Sequence, residues 1–168
     1  KDIAIEQMQR YHIPASITLA QGLLESAAGR SELTRNSNNH FGIKCNNNWT
    51  GRRTYHDDDA KNDCFCVYDS AYESYEDHSK FLSGNQRYRQ LFQLKTTDYK
   101  GWAKGLKACG YATSPVYAEK LIEIIQLYKL YQYDSAKGYD HFMAQRTKDQ
   151  NPSGASLHTI KIFNKNYY

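Results

Sequence analysis

The sequence predicts an α+β fold, mainly helical, with one small antiparallel β-hairpin. Three observations carry that prediction. Apolar residues recur at i, i+3, i+4 spacing in well-separated segments, as in Ile17, Ala20 and Leu24, and again in Leu121, Ile124 and Ile125. Helix punctuation stands at the ends of such segments: Ser70 three residues before Glu73, Asp98 before an apolar run, Gly110 after it, and Pro115 behind Ser114. One stretch, Gly42 to Cys66, lacks a helical period and reads as a hairpin, with Gly51 at a bend and the tip at Asp57 to Asn62.

Asp2 to His12 reads as a first helix, capped by Asp2 and ended ahead of Pro14. Ala15 to Ala28 is the second. Ser31 to Thr34 forms a short turn and Asn36 to His40 a polar loop. After the hairpin, Ser70 to Leu82 is a helix with a capping box, and Arg87 to Leu94 a short one. Asp98 caps a helix to about Ala108. Ser114-Pro115 opens the last long helix, whose stripe Tyr117, Leu121, Ile124, Ile125 and Tyr128 faces a core. Residues 1–133 form one domain. From 134 to 168 the chain turns polar and reads as a linker, with a single alternating strand at His158 to Phe163.

The second helix carries the most informative residue. Ile17, Ala20, Leu24, Ala27 and Ala28 make its core face; Thr18, Gln21, Gly22, Glu25 and Gly29 make the opposite stripe. Glycine inside a helix costs about 1 kcal/mol relative to alanine, so Gly22 and Gly29 flanking Glu25 point to room for a bulky ligand beside one acid. Gly29 is equally placed to stop the helix. A carboxyl that donates a proton near neutral pH has to be held away from bulk water, and an acid closing an apolar helix meets that need.

Five segments in order resemble the glucosaminidase domain of glycoside hydrolase family 73, the bacterial endo-β-N-acetylglucosaminidases and autolysins. They are Leu19-Ala20-Gln21-Gly22-Leu23-Leu24-Glu25-Ser26 with Asn38-Asn39-His40-Phe41-Gly42-Ile43-Lys44; Trp49-Thr50-Gly51; Phe65-Cys66-Val67-Tyr68-Asp69-Ser70; Glu73-Ser74-Tyr75-Glu76-Asp77-His78; and Gly110-Tyr111-Ala112-Thr113-Ser114-Pro115-Val116-Tyr117-Ala118. The resemblance implies a lysozyme-like, two-lobed domain with a groove between a helical lobe and a hairpin lobe. It implies cleavage of the β-1,4 bond after N-acetylglucosamine in peptidoglycan, with Glu25 as general acid and no cofactor. It also implies that residues 134–168 lead into a wall-binding module.

The family carries a second carboxylate at the hairpin, usually Glu. This chain has no Glu between Glu32 and Glu73, so the role falls on Asp59, with Asp58 the alternative. On a strand Asp57 and Asp59 would share a face and Asp58 point away. If no hairpin Asp serves, the substrate's own N-acetyl group takes the role. Tyr111 is the third candidate, placed by the resemblance in the groove opposite Glu25. Phe41 and Trp49 are candidate sugar platforms, or wedges between hairpin and helices. Asn39 and Thr113 are candidate substrate contacts. His40, His56 and His78 show no triad spacing, which speaks against serine or cysteine nucleophiles.

Cys64 and Cys66 are i, i+2 on a strand and too far apart to bond. That leaves Cys45–Cys64 with Cys66–Cys109, or the crossed pairing. The resemblance favours the first, because the family has Arg where Cys66 stands and a small residue where Cys109 stands. The spacing lacks the tight C-x-x-C of a zinc site. A net charge of +4 suits an anionic polymer, yet the basic residues are scattered and no nucleic-acid motif is present. No run reaches transmembrane length. Lys1 opens no signal peptide, so the chain is expected to follow a removed export signal, to act outside the cytoplasm or in the periplasm, and to be monomeric. Two further readings stay open: a muramidase or lytic transglycosylase on the same fold, and a non-catalytic wall-binding module.

Overall fold

The computed structural model describes residues 1–27 and 31–135. The expected linker and strand beyond 135, and Ala28 and Gly29, lie outside the described residues. Helix α1 (Asp2–Tyr11) puts Ala4, Ile5 and Met8 into the core. Asp2 sits in its first turn, with Lys1 at the cap position, so the expected Asp2 cap is displaced by one residue. The helix stops where His12 turns left-handed (φ 62°) and returns its N–H to the Met8 carbonyl.

Helix α2 (Ala15–Glu25) is the axis of the helical lobe. Every residue from Ala15 to Gly22 is buried. The two-faced helix expected from periodicity is therefore covered on both sides. Helices α1, α5 (Tyr99–Ala108) and α6 (Tyr117–Leu127) and the 3-10 turn Leu130–Tyr133 surround it, so Thr18 and Gln21 are as enclosed as Ile17 and Ala20. Pro14 stands at its N-cap and has no side-chain acceptor. The acceptor comes from 118 residues further along: Asp134 Oδ1 takes the Ser16 N–H at 2.8 Å, and its other oxygen takes the Ser16 hydroxyl. This carboxyl caps the helix in place of the proline, so the first residue of the expected linker is tied to the centre of the helical lobe.

Helix α3 (Ser31–Ser37) extends past the short turn expected there. The hairpin is β1 (Arg53–His56) paired antiparallel with β2 (Asp63–Cys66), in register Arg53 to Cys66 and His56 to Asp63. Lys44 bridges the free side of β2 at Phe65, and the Cys45–Cys64 disulfide fastens that third segment. The expected Cys66–Cys109 bond does not form. Cys66 closes β2 beside Tyr68, whereas Cys109 caps α5 and packs on the helical core, so the two thiols stay free in different lobes.

Helix α4 (Ala71–Gly84) starts with Ser70 accepting the Glu73 N–H. Glu73 reaches back to the Asp69 N–H, one residue earlier than a capping box requires. A 3-10 helix, Gln86–Gln93, takes the place of the expected short α-helix. Asp98 caps α5 (Tyr99–Ala108) by accepting the Gly101 N–H. Gly110, at φ 83°, ends it in a Schellman turn: Tyr111 N–H returns to Leu106 O and Gly110 N–H to Lys107 O, both at 3.0 Å. Helix α6 (Tyr117–Leu127) begins two residues after Pro115. It buries Tyr117, Leu121 and Ile125. Tyr128 lies past its end and is exposed, so the expected core stripe is one residue too long.

Burial pushes the Asp134 carboxyl up to about 7, against the lowering effect of the Ser16 donors. The native state therefore holds this proton between about pH 4 and 7 while the unfolded chain does not, and the contribution to stability falls as pH rises through that window. In urea unfolding, wild type is expected to exceed Asp134→Asn by most near pH 4, with the margin shrinking toward pH 7. A margin that grows with pH contradicts this.

Candidate active site

Glu25 is the last residue of α2, and the backbone passes from it into a wider, π-type turn at Ser26 and Ala27. Its side chain is half-buried, and its carboxyl lies directly on Gly42. A Cβ built on Gly42 would stand 2.3 Å from Glu25 Oε1 and 2.8 Å from Cδ. Gly42 also has φ +62°. Two independent constraints, space and backbone conformation, thus demand glycine there.

The loop that delivers Gly42 is built by the polar residues before it. Ser37 ends α3 with its hydroxyl on the Leu33 carbonyl, and its own carbonyl takes the Tyr68 N–H at 2.8 Å. Asn38, left-handed at φ 54°, donates to Tyr68 O. Asn39 donates to Ile43 O (2.9 Å) and Cys66 O (3.0 Å) and accepts from Ile43 N–H (3.0 Å). The segment expected to be a polar loop, Asn36 to His40, is helical through Ser37 and buried at Asn39 and His40, because its side chains replace the backbone partners that a sheet would supply. Asn39 is 1% exposed with its carboxamide committed to the backbone. It shapes the loop and leaves no amide for a sugar.

Phe41 is a wedge: its ring stacks on His78 at 4.0 Å and meets Tyr75 edge-on at 4.9 Å. Burial lowers the His78 pKa to about 3 and that of His40 to about 4, so both stay neutral in the fold. Tyr111, turned inward by Gly110, stacks on Tyr117 (5.7 Å, 27°) and lies edge-on to His78 at 6.5 Å. Burial first, and then neighbouring charges including that of Glu25, raise both phenols above their ordinary range. Gln21, one turn before Glu25, donates to the Tyr117 hydroxyl at 2.9 Å and meets His78 Nε2 at 2.7 Å. The structure thus gathers Glu25, Gly42, Tyr111, Tyr117, Gln21 and His78.

The other sequence candidates lie elsewhere. Asp58 and Asp59 sit beyond the strands in the hairpin tip, so strand alternation does not apply, and both turn to Lys44. Its ammonium lies 2.8 Å from Asp59, 3.2 Å from Asp63 and 3.3 Å from Asp58. Asp57 accepts the Asn62 N–H inside the turn. Thr113 is exposed between α5 and α6. Trp49 is fixed by its indole N–H on Arg52 O and lies flat on Gly51, where a Cβ would meet the ring at 2.6 Å. It lines a cleft of about 480 Å³ with Tyr68, Tyr72 and Asp77, which neither Glu25 nor Tyr111 borders. Sequence reasoning placed Tyr117 in the core and set His78 aside. The i, i+4 relation of Gln21 to Glu25 was the available signal for the network behind the acid.

The frame is that of a mainly helical, lysozyme-like domain with a hairpin beside a half-buried acid. The family model described as glucosaminidase, mannosyl-glycoprotein endo-β-N-acetylglucosaminidase, matches residues 1–130, and the chain belongs to this family. It is 36% identical over 140 residues to the exo-glucosaminidase LytG of Bacillus subtilis, covering 75% of this chain and 48% of that protein. It is 34% identical over 143 residues to the peptidoglycan hydrolase FlgJ of Escherichia coli K12, covering 78% and 45%. The chain thus spans about half the length of these curated relatives. Among solved structures, a peptidoglycan hydrolase from Sphingomonas sp. A1 superposes with a TM-score of 0.66 at 30% identity, over 80% of this chain and 90% of that one. The catalytic domain of the Listeria monocytogenes autolysin Auto gives 0.62 at 34% identity, over 79% and 81%.

Gly42→Ala forces either the loop or the Glu25 carboxyl to move by about 1 Å. A misplacement of that size is expected to cut turnover about 100-fold, with far-ultraviolet circular dichroism unchanged. Retained turnover contradicts the placement of Glu25.

Proposed function

We propose that residues 1–133 form the catalytic domain of a peptidoglycan hydrolase that cleaves the β-1,4 bond after N-acetylglucosamine, with Glu25 as general acid. The observation that carries this is the Glu25 carboxyl, half-buried and seated on Gly42, in a chain of the glucosaminidase family. LytG is named for glucosaminidase activity and FlgJ for peptidoglycan hydrolysis, which supports this substrate. In the reaction the Glu25 proton passes to the bridging oxygen as the bond to the anomeric carbon breaks. Water then adds hydroxide to that carbon and returns its proton to the carboxylate.

Asp59 is our candidate for the second carboxylate, with Asp58 the alternative. Lys44 tethers both, and Lys44 is two residues from Gly42. The Asp59 side chain is 88% exposed. Exposed ion pairs are worth about 0–1 kcal/mol, so its release toward a bound sugar costs little. Tyr111, the aromatic candidate carried by the turn at Gly110, suits the sugar ring and its acetamido group. Action outside the cytoplasm follows from this substrate, and the Cys45–Cys64 disulfide agrees with an oxidising compartment. Among the described residues no helix is long and apolar enough to cross a membrane. We expect a monomer acting on glycan strands, with no nucleic acid partner.

The hairpin carboxylates are aspartates engaged by Lys44, which favours one second reading, a lytic transglycosylase that needs only one acid. Analysis of the ends released from intact walls separates the two. The proposal predicts new reducing N-acetylglucosamine ends, and a drop in turnover of about tenfold or more for Asp59→Asn or Asp58→Asn. Anhydro-muramic ends overturn it in favour of the transglycosylase. Release of no sugar at all leaves only a wall-binding module.

A further inference from the structure

We propose that Gln21 is a positioning residue for the Glu25 carboxyl: its carboxamide holds, through His78 and Phe41, the Gly42 backbone on which that carboxyl rests. The proposal rests on the reading of Glu25 as the acid. Each link is a direct contact, and together they close a circuit. Gln21 Oε1 lies 2.7 Å from His78 Nε2 on α4. The His78 ring stacks on the Phe41 ring at 4.0 Å and 16°. Phe41 immediately precedes Gly42, and the Glu25 carboxyl fills the place that a Cβ on Gly42 would need. Glu25 follows Gln21 at i+4 on α2, on the same face of the helix. The circuit thus leaves α2 at Gln21 and returns to it one turn later at Glu25.

A glutamine suits this task because it offers one acceptor and one donor, and both are used. Gln21 is 4% exposed, so water scarcely competes for either end. His78 Nδ1 has no hydrogen-bond partner among the described residues. A proton there would be a buried orphan, so the neutral ring carries its N–H at Nε2 and donates it to Gln21 Oε1. The amide nitrogen donates to the Tyr117 hydroxyl, 2.9 Å away at the start of α6. The two bonds hold opposite ends of one planar group, so the carboxamide cannot swing without breaking one of them. Phe41 is fixed from a second side by Tyr75, edge-on at 4.9 Å. Tyr75 and His78 are i, i+3 on α4, so the Phe41 ring follows α4, and Gln21 sets where α4 stands against α2 at this level. Loss of the carboxamide lets the Phe41–Gly42 segment shift under the Glu25 carboxyl while the carboxyl itself stays intact.

Kinetics and NMR on the full chain test this. Gln21→Met keeps the length of the side chain and removes both polar ends. It is expected to lower kcat about tenfold or more with KM within about twofold, the pattern of a displaced reacting group. In the Gly42→Ala background, where the seat is already displaced, the same substitution is expected to lower kcat by less than about twofold, because residues acting through one contact are not additive. The Gly42 amide resonance is expected to shift in Gln21→Met. Phe41→Leu breaks the circuit at its other contact and is expected to give the same loss of kcat and the same lack of additivity, which carries the result if Gln21→Met does not fold. Wild-type kcat in the folded variants, losses that multiply with that of Gly42→Ala, or an unmoved Gly42 amide overturns the proposal. A wild-type protein that releases no sugar from walls would sink the hydrolase reading instead, and the Gly42 amide would still decide whether Gln21 holds that loop.

Discussion

The contact between the Glu25 carboxyl and the Gly42 backbone is the constraint around which the site is arranged. Any side chain at position 42 would occupy the space of the carboxyl, and the left-handed backbone there excludes most other residues as well. The acid is therefore positioned by the absence of atoms as much as by their presence. Half-burial against a loop backbone, rather than full burial in the core, leaves one side of the group open to a ligand while limiting its water.

Much of the remaining structure holds the two halves of that contact in register. Glu25 ends a helix whose start is fixed by Asp134, so a residue just past position 133 anchors the first turn of the helix that carries the acid. Gly42 is held by Asn38 and Asn39, which stitch their loop to the carbonyls of Tyr68 and Cys66 after and within β2. The hairpin lobe and the helical lobe thus meet at the acid through hydrogen bonds to backbone, whose geometry is stiffer than side-chain packing alone. The third component, Tyr111, is delivered by the Schellman turn at Gly110. Three left-handed residues, Asn38 and Gly42 in one loop and Gly110 in another, shape the two loops that converge.

The helices were legible because their caps are local: Ser70 and Asp98 act within three residues of themselves, and the sequence shows both. The cap of α2 was not legible, because its acceptor is 118 residues away and Pro14 offers no side chain. Periodicity misread α2 as amphipathic for a related reason. A helix at the centre of a small lobe buries Thr18 and Gln21 together with Ile17 and Leu19, and the pattern cannot tell a ligand-facing polar stripe from one enclosed by other helices. Glu25 and Tyr111 stood out through motif resemblance. The role of Asn39 did not, since a carboxamide that satisfies three backbone groups and one that meets a sugar are the same residue in a sequence. The unpaired cysteines went wrong because parity suggests pairing, while only the fold shows that Cys66 and Cys109 belong to different lobes.

In the proposed reaction the Glu25 carboxyl, at the end of α2 and seated on Gly42, is the group that gives the proton. The most direct measurement is sugar release from intact peptidoglycan by Glu25→Gln beside wild type, with thermal unfolding as the check on folding. An unchanged unfolding midpoint and a loss of turnover of about 1000-fold or more are expected, as for removal of the principal proton donor. A folded Glu25→Gln variant that still releases sugar at a rate near that of wild type contradicts it.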